Sequence, residues 1–146
     1  MAEINPILLI ENDPATERPI LTSLAQYRLA NEVVVTSDGA EALDFLYRRG
    51  KFRLRRNAIP AVILLDLKIQ AVDGLSLLKI IKSDPYFMPV PLIILKDSPQ
   101  ESDEFECRQW GVQTYLEKPL QFDRFLKMIP EVGLRCAVLD QWPIAA

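Results

Sequence analysis

The sequence predicts a single α/β domain built on a doubly wound, five-stranded parallel sheet of order 2-1-3-4-5. Four short, largely apolar runs each stop at a charged residue: Ile7-Leu8-Leu9-Ile10 before Glu11-Asn12-Asp13, Ala61 to Leu65 before Asp66, Val90 to Leu95 before Lys96, and Val112 to Leu116 before Glu117-Lys118-Pro119. Unbroken apolar runs of this length are strands covered on both faces. Segments of helical spacing alternate with them, giving β-α five times, and right-handed crossovers then wind the helices over both faces of the sheet. The 146 residues fit one domain with a core of its own. Sheets of this kind bind ligands just past the carboxyl ends of their strands, so Glu11, Asp66, Lys96 and Lys118 are expected to converge on one edge.

After the first strand, Asp13-Pro14-Ala15-Thr16 reads as a helix start with an acidic cap and proline at the first position. Pro19 leaves two alternatives. Either the helix kinks there, or it begins later, with Thr16 as cap and Pro19 in the first turn. Val33-Val34-Val35 is a short strand, and Asp38-Gly39-Ala40-Glu41 has the form of a capping box opening a helix through Arg49, with Leu43, Leu46 and Tyr47 on its buried face. A basic loop follows. Asp73 precedes a helix over Gly74 to Ser83, where Leu75, Leu78, Ile80 and Ile81 fall at helical spacing and Asp84-Pro85 ends it. Pro99 to Trp110 is the next helix, closed by Gly111 at a C-cap position. Phe122, Phe125, Leu126 and Ile129 mark a last helix, and Gly133 divides a domain over 1–133 from an apolar C-terminal extension over 134–146.

Composition excludes several classes of function. Hydrophobic residues at 49% and charged residues at 25% are ordinary for a globular protein and foreign to a disordered one. The amino terminus has no positive region before its apolar stretch and no apolar run approaches a membrane span, so a cytoplasmic protein without membrane contact is expected. Cys107 and Cys136 lack CxxC spacing and read as two reduced thiols. There is no histidine, which removes imidazole catalysis. A P-loop, a GxGxxG and a GxSxG elbow are also absent, so a hydrolase, kinase or dehydrogenase has no residues to carry it. An FMN binder shares the strand order, but Glu11-Asn12-Asp13 would repel its phosphate. The charge is uneven. Arg48, Arg49, Lys51, Arg53, Arg55 and Arg56 give +6, and with a net charge of −3 the remainder carries −9. A solvated connection is the favoured reading of that loop, a contact to an acidic partner protein the next, and a nucleic-acid surface the least suited to an acidic domain.

A carboxylate ending the third strand, flanked by acids from the first strand and a lysine from the fifth, has a specific use. The acids hold Mg²⁺ through oxygen ligands, metal and lysine neutralise a phosphoryl group in flight, and the central carboxylate attacks it to give an aspartyl phosphate. The Ile-Leu-Leu-Ile-Glu-Asn-Asp-Pro start, Val62 to Leu67, Asp73-Gly74 and Tyr115-Leu116-Glu117-Lys118-Pro119 together resemble the flavodoxin-like receiver domain of two-component response regulators, over nearly the whole chain. Phe45 to Lys51 with its extended loop, Ile81-Lys82-Ser83-Asp84-Pro85 and the tail are similar to the small single-domain regulators that partner phytochrome-type histidine kinases, chiefly cyanobacterial.

The resemblance implies a phosphorelay protein that is not itself an enzyme. Asp66 is the phospho-acceptor, served by a sensor histidine kinase, and Lys118 is the phosphoryl-contacting cation before a cis Pro119 bond. Tyr115 is the switch aromatic, and Glu11, Asp13, Asp66 and Lys68 surround the metal. Lacking histidine, the chain is the acceptor side of such a relay, and with no output domain visible it signals through protein contacts.

Three positions depart from the pattern, all at the chemistry. Asn12 stands where the family has a second acid, with the acid displaced to Asp13; Lys96 stands where it has Ser or Thr; Lys68 replaces a common Asn, where chiefly the backbone carbonyl serves the metal. Asn supplies an oxygen but no charge, so a weakened Mg²⁺ site is expected. A lysine about 4 Å from Asp66 at an effective dielectric of about 20 interacts by roughly 4 kcal/mol before screening, replacing part of the metal's charge. Lys96 is accordingly expected among the catalytic and switch residues. The rival reading is a pseudo-receiver that binds partners without phosphorylation. The apolar tail, with Leu134, Ala137, Val138, Leu139, Trp142 and Ile144, further suggests a homodimer through the face carrying the fourth helix, the fifth strand and the last helix.

Overall fold

The computed structural model describes residues 5–26, 30–56, 59–69, 72–96, 104–112, 114–118, 121, 124, 125 and 127. Five strands, β1 (Ile7–Ile10), β2 (Val33–Thr36), β3 (Val62–Asp66), β4 (Leu92–Lys96) and β5 (Tyr115–Glu117), alternate with α1 (Pro14–Gln26), α2 (Gly39–Leu46), α3 (Gly74–Ser83) and α4 (Glu104–Gln109). The sheet order is β2-β1-β3-β4-β5 and every pairing is parallel, as the uninterrupted apolar runs predict. Register sets the edge. Ile10 pairs with Leu65, Asp66 with Leu95, and Lys96 with Glu117, so the charged ends of β1, β3, β4 and β5 lie side by side.

Alternation along each strand feeds two cores. Leu8, Ile10, Ile63, Leu65, Leu92 and Ile94 pack with Ala42, Phe45 and Leu46 of α2, Leu77, Leu78 and Ile81 of α3 and Cys107 of α4. Ile7, Leu9, Val62, Leu64, Ile93 and Leu95 face the other way, against Ile20 of α1 and Phe125. Each such aliphatic side chain, fully buried, contributes about 1.5–3 kcal/mol, which is why β1 and β3 carry no polar residue before their last position.

Local chemistry sets the boundaries, and it corrects several sequence expectations. Of the two alternatives for α1 the early start holds: the helix begins at Pro14, the Ala15 N–H donates to Asp13 Oδ1 at 3.0 Å, and Pro19 lies inside it. The capping box at α2 is half formed. Asp38 Oδ1 accepts from the Glu41 N–H at 2.8 Å, but the Glu41 carboxylate reaches Ser37 Oγ at 3.0 Å and Lys51 Nζ at 3.0 Å. The helix stops at Leu46, short of Arg49, because Arg48 takes φ 54° and the N–H groups of Arg48 and Arg49 turn back to the carbonyls of Phe45 and Asp44. This is the Schellman arrangement, with arginine where glycine is usual. Its buried face is Ala42, Phe45 and Leu46; Tyr47 lies outside, exposed. On α3 the buried set is Leu77, Leu78 and Ile81, with Ile80 turned outward. The C-cap at Gly111 (φ 80°) is also a Schellman arrangement, its N–H and that of Val112 bonding the carbonyls of Arg108 and Cys107.

The basic loop is less free than its composition suggests. A 3₁₀ turn at Gly50–Phe52 follows Arg49, which pairs with Asp44 at 3.5 Å; Arg55 pairs with Glu32 at 2.9 Å and lies over the Phe45 ring at 5.1 Å. Among the described residues Cys107 is fully buried, and no helix is long and apolar enough to cross a membrane. The extension over 134–146 on which the dimer is proposed, Cys136, Pro119, and Phe122, Leu126 and Ile129 fall outside the described residues.

Candidate functional site

Two acids are buried at the carboxyl edge of the sheet, Glu11 fully and Asp66 at 5% exposure. A buried carboxylate persists only when paired and hydrogen-bonded, and both of these are. Lys118 Nζ lies 2.6 Å from Asp66 Oδ2 and 2.9 Å from Glu11 Oε2, bridging β1 and β3 from beyond the end of β5. The backbone supplies the rest. The Lys68 N–H donates to Asp66 Oδ1 at 2.9 Å and the Asp13 N–H to Glu11 Oε1 at 3.1 Å. The Asp66 carboxylate is thus held at both oxygens, by an amide and by an ammonium.

Electrostatics follow from that crowding. Burial raises the Glu11 carboxyl above its ordinary value, and its hydrogen bond with Asp66 adds to this; Lys118 and the Asp13 amide offset only part. For Lys118, burial favours the neutral amine, but the hydrogen bonds to Asp66 and Glu11 outweigh it and hold the ammonium well above the ordinary lysine range.

The flanking positions divide. Lys96, half-buried at the end of β4, places Nζ 4.9 Å from the centre of the Tyr115 ring, a cation–π contact of about 0.5–2 kcal/mol. The Tyr115 hydroxyl reaches the Val112 carbonyl at 3.4 Å. Asn12 and Asp13 are exposed, and Asp13 Oδ1 faces the start of α1 through the Ala15 N–H. The Lys68 side chain is exposed, its amide serving Asp66.

The sequence reading did not single out the Lys118–Glu11 contact. Nor did it single out Thr36, which is fully buried at the end of β2 and accepts the Glu11 N–H at its carbonyl at 3.0 Å. A polar residue closing an otherwise apolar strand was the available signal. Gly74 was visible only as half of a motif: a Cβ there would lie 2.4 Å from Leu67 Cα, so no larger residue lets α3 start this close to the turn after Asp66.

These donors make a poor dication site as arranged. Mg²⁺ demands near-octahedral oxygen geometry, whereas the ammonium of Lys118 stands at both carboxylates, Asn12 faces outward, and among the described residues no three acids gather as a ligand set. What the arrangement supplies is a desolvated carboxylate of fixed orientation beside a fixed cation.

Known proteins share this arrangement of elements. The bacteriophytochrome response regulator AtBRR is 40% identical and superposes with a TM-score of 0.85 over 95% of this chain and 99% of its own. The cyanobacterial phytochrome response regulator RcpA, solved in its phosphorylated form, is 31% identical with a TM-score of 0.71 over 90% of this chain and 91% of its own. Response regulator Rcp1 of Synechocystis sp. is 31% identical over 130 residues, 87% of each chain, and a structure of Rcp1 solved with Mn²⁺ superposes with a TM-score of 0.70 over 89% of this chain and 91% of that one. The receiver-domain profile of response regulators matches residues 7–130. With the strand order, the buried acid pair and the lysine after β5, that match spans the entire edge where Glu11, Asp66 and Lys118 meet, and the chain belongs to the response regulator receiver family.

Proposed function

We propose that this regulator accepts a phosphoryl group on Asp66 from a phytochrome-type sensor histidine kinase in the cytoplasm, and signals through protein contacts. The observation that carries the proposal is the 2.6 Å contact of Lys118 with Asp66, in a carboxylate whose other oxygen is held by the Lys68 amide. In the transfer an Asp66 oxygen forms the new bond to phosphorus as the bond to the kinase's imidazole nitrogen breaks. Lys118 meets the developing negative charge at the phosphoryl oxygens. Transfer is slow and weakly Mg²⁺-dependent, because Asn12 lacks the charge of a second acid and Lys96 lacks the hydroxyl of the usual Ser or Thr. Lys96 also biases the Tyr115 rotamer in the unphosphorylated chain.

The contact of Lys96 with Tyr115 favours one second reading, a pseudo-receiver held in a single state and binding its partner without phosphate. Intact mass after incubation with acetyl phosphate and Mg²⁺ separates the two. Slow formation of one phosphoryl adduct is expected, absent in Asp66→Asn and accelerated on the order of tenfold by Asn12→Asp with Lys96→Thr. No adduct on either background leaves the pseudo-receiver. Fast, stoichiometric phosphorylation unchanged by the double substitution removes the assigned roles of Asn12 and Lys96. A homodimer through the face carrying the fourth helix, the fifth strand and the last helix, proposed on the apolar residues of the 134–146 tail, is tested by light scattering on the full chain and on one ending at Gly133.

A further inference from the structure

An open groove of about 590 Å³ lies at the end of the molecule opposite Asp66, between the C-termini of α2 and α3, lined by Tyr47, Lys79, Ile80, Ser83, Asp84 and Pro85. Its aromatic wall is built rather than incidental. Tyr86 meets Phe87 edge to face at 5.1 Å, Phe87 meets Tyr47 at 5.4 Å, and the Arg49 guanidinium lies 5.4 Å from the Tyr47 ring centre. The Tyr47 hydroxyl donates to Asp84 Oδ2 at 2.7 Å and the Tyr86 N–H to Asp84 Oδ1 at 2.9 Å, so the one acid in the groove has both oxygens engaged. The wall is nevertheless open to solvent: Tyr47 is 41% exposed, Ile80 37% and Tyr86 63%.

The rim is cationic. Arg48 and Arg49 follow Tyr47 directly and Lys79 lines the groove; Arg49 lies 3.5 Å from Asp44 and Lys79 3.7 Å from Glu106, solvent-exposed pairs that an incoming carboxylate can exchange with. Arg48 is the more informative of these. It holds the left-handed conformation that closes α2, a position where glycine is the unstrained choice, so a charged side chain stands there at a cost to the fold. A strained arginine beside an exposed aromatic row, in a chain of net charge −3, marks a surface complementary to negative charge.

We infer that the α2–α3 groove docks an acidic peptide segment of a partner protein, with an aromatic or large aliphatic side chain seated between Tyr47 and Ile80 and carboxylates on Arg48, Arg49 and Lys79. This goes beyond the phosphorylation reading, because none of these residues belongs to the Asp66 site.

The probe is a fluorescein-labelled peptide of about twelve Asp and Glu residues around one tryptophan, with the same peptide carrying serine for tryptophan, and oligo-dT, as comparisons. Anisotropy with the full chain is expected to show saturable binding of the tryptophan peptide, and binding of the serine peptide and oligo-dT weaker by about tenfold or more. Arg48→Gly is the decisive variant. It relieves the backbone, so the melting temperature rises, while peptide binding weakens about threefold to fivefold. Ile80→Ser weakens binding about fivefold or more, and neither variant alters the acetyl phosphate reaction at Asp66. Equal affinity for serine peptide or oligo-dT, unchanged binding by Arg48→Gly, or no binding of the tryptophan peptide overturns the inference. So does concentration-dependent self-association of the free chain that Ile80→Ser abolishes, since the occupant is then a second copy.

Discussion

Two regions of this protein concentrate charge, at opposite ends of the strands, and they handle it in opposite ways. At the carboxyl edge, Glu11, Asp66 and Lys118 are drawn out of water and held within 2.9 Å contacts. At the other end, Arg49 pairs with Asp44 and Lys51 with Glu41 through side chains that stay largely in solvent, 59% and 67% exposed for the two cations. The same unit charges at about 4 Å interact by roughly 1 kcal/mol in water and roughly 4 at an effective dielectric of about 20. Burial, not charge count, therefore decides which of the two regions the fold depends on.

Removing the buried cation has the largest expected effect. Lys118→Met leaves two carboxylates facing each other out of water, a loss of about 3–5 kcal/mol read as a lowered melting temperature at neutral pH. Its pH dependence has a definite sign. The native Glu11 carboxyl already binds its proton more tightly than the unfolded one, so its contribution to stability is present on the acid side and lost as pH rises through the raised native value. Without Lys118 that value rises further, and the deficit of the variant shrinks on acidification. A deficit that is constant between neutral and mildly acidic pH would break the comparison.

The contact of Lys96 with Tyr115 lies between the extremes. Lys96→Met removes about 0.5–2 kcal/mol of cation–π attraction, and ¹⁹F NMR of fluorotyrosine-labelled protein is expected to show the Tyr115 resonance moving toward a two-state average. An unchanged resonance detaches the lysine from the rotamer.

Arg55→Ala is smaller again, about 0.5–1 kcal/mol, from loss of the Glu32 pair and of stacking on Phe45. The hydrogen bond from Arg55 holds the Glu32 carboxyl below its ordinary value, so the stability it contributes is present above the unfolded value and lost as pH falls through the native one. The variant accordingly shows less acid sensitivity in that window. Lys51→Ala, at a pair exposed on the helix surface, is expected within about 0.5 kcal/mol of the parent and to vanish in high salt.

The sheet was legible because its signal is local: β1, β3 and β4 are strands too apolar to be anything but interior, and each announces its end with a charge. The meeting of Glu11, Asp66 and Lys118 was legible too, since strand ends of a parallel sheet must converge, whereas Lys96 lies over the Tyr115 ring. What escaped depends on side-chain direction. Glu11 and Asp13 are two residues apart, yet one lies inside the cluster and the other caps α1, a difference set by the turn and not by composition. The end of α2 was misplaced because its stop is an arginine in a glycine conformation, for which the sequence carries no sign. Spacing alone places Tyr47 in the core, but the helix has already ended at Leu46.

The approach of Gly74 to Leu67 has a mechanical consequence. With no room for even a methyl group between them, the turn that presents the Lys68 amide packs directly against the first residue of α3. Helix α3 is ten residues long, about 15 Å, and Ser83 and Asp84 at its far end form part of the α2–α3 groove. A displacement of the Lys68 turn is therefore expected to reach the groove along α3, and Gly74→Ala, which would force the two apart, is the substitution that tests it.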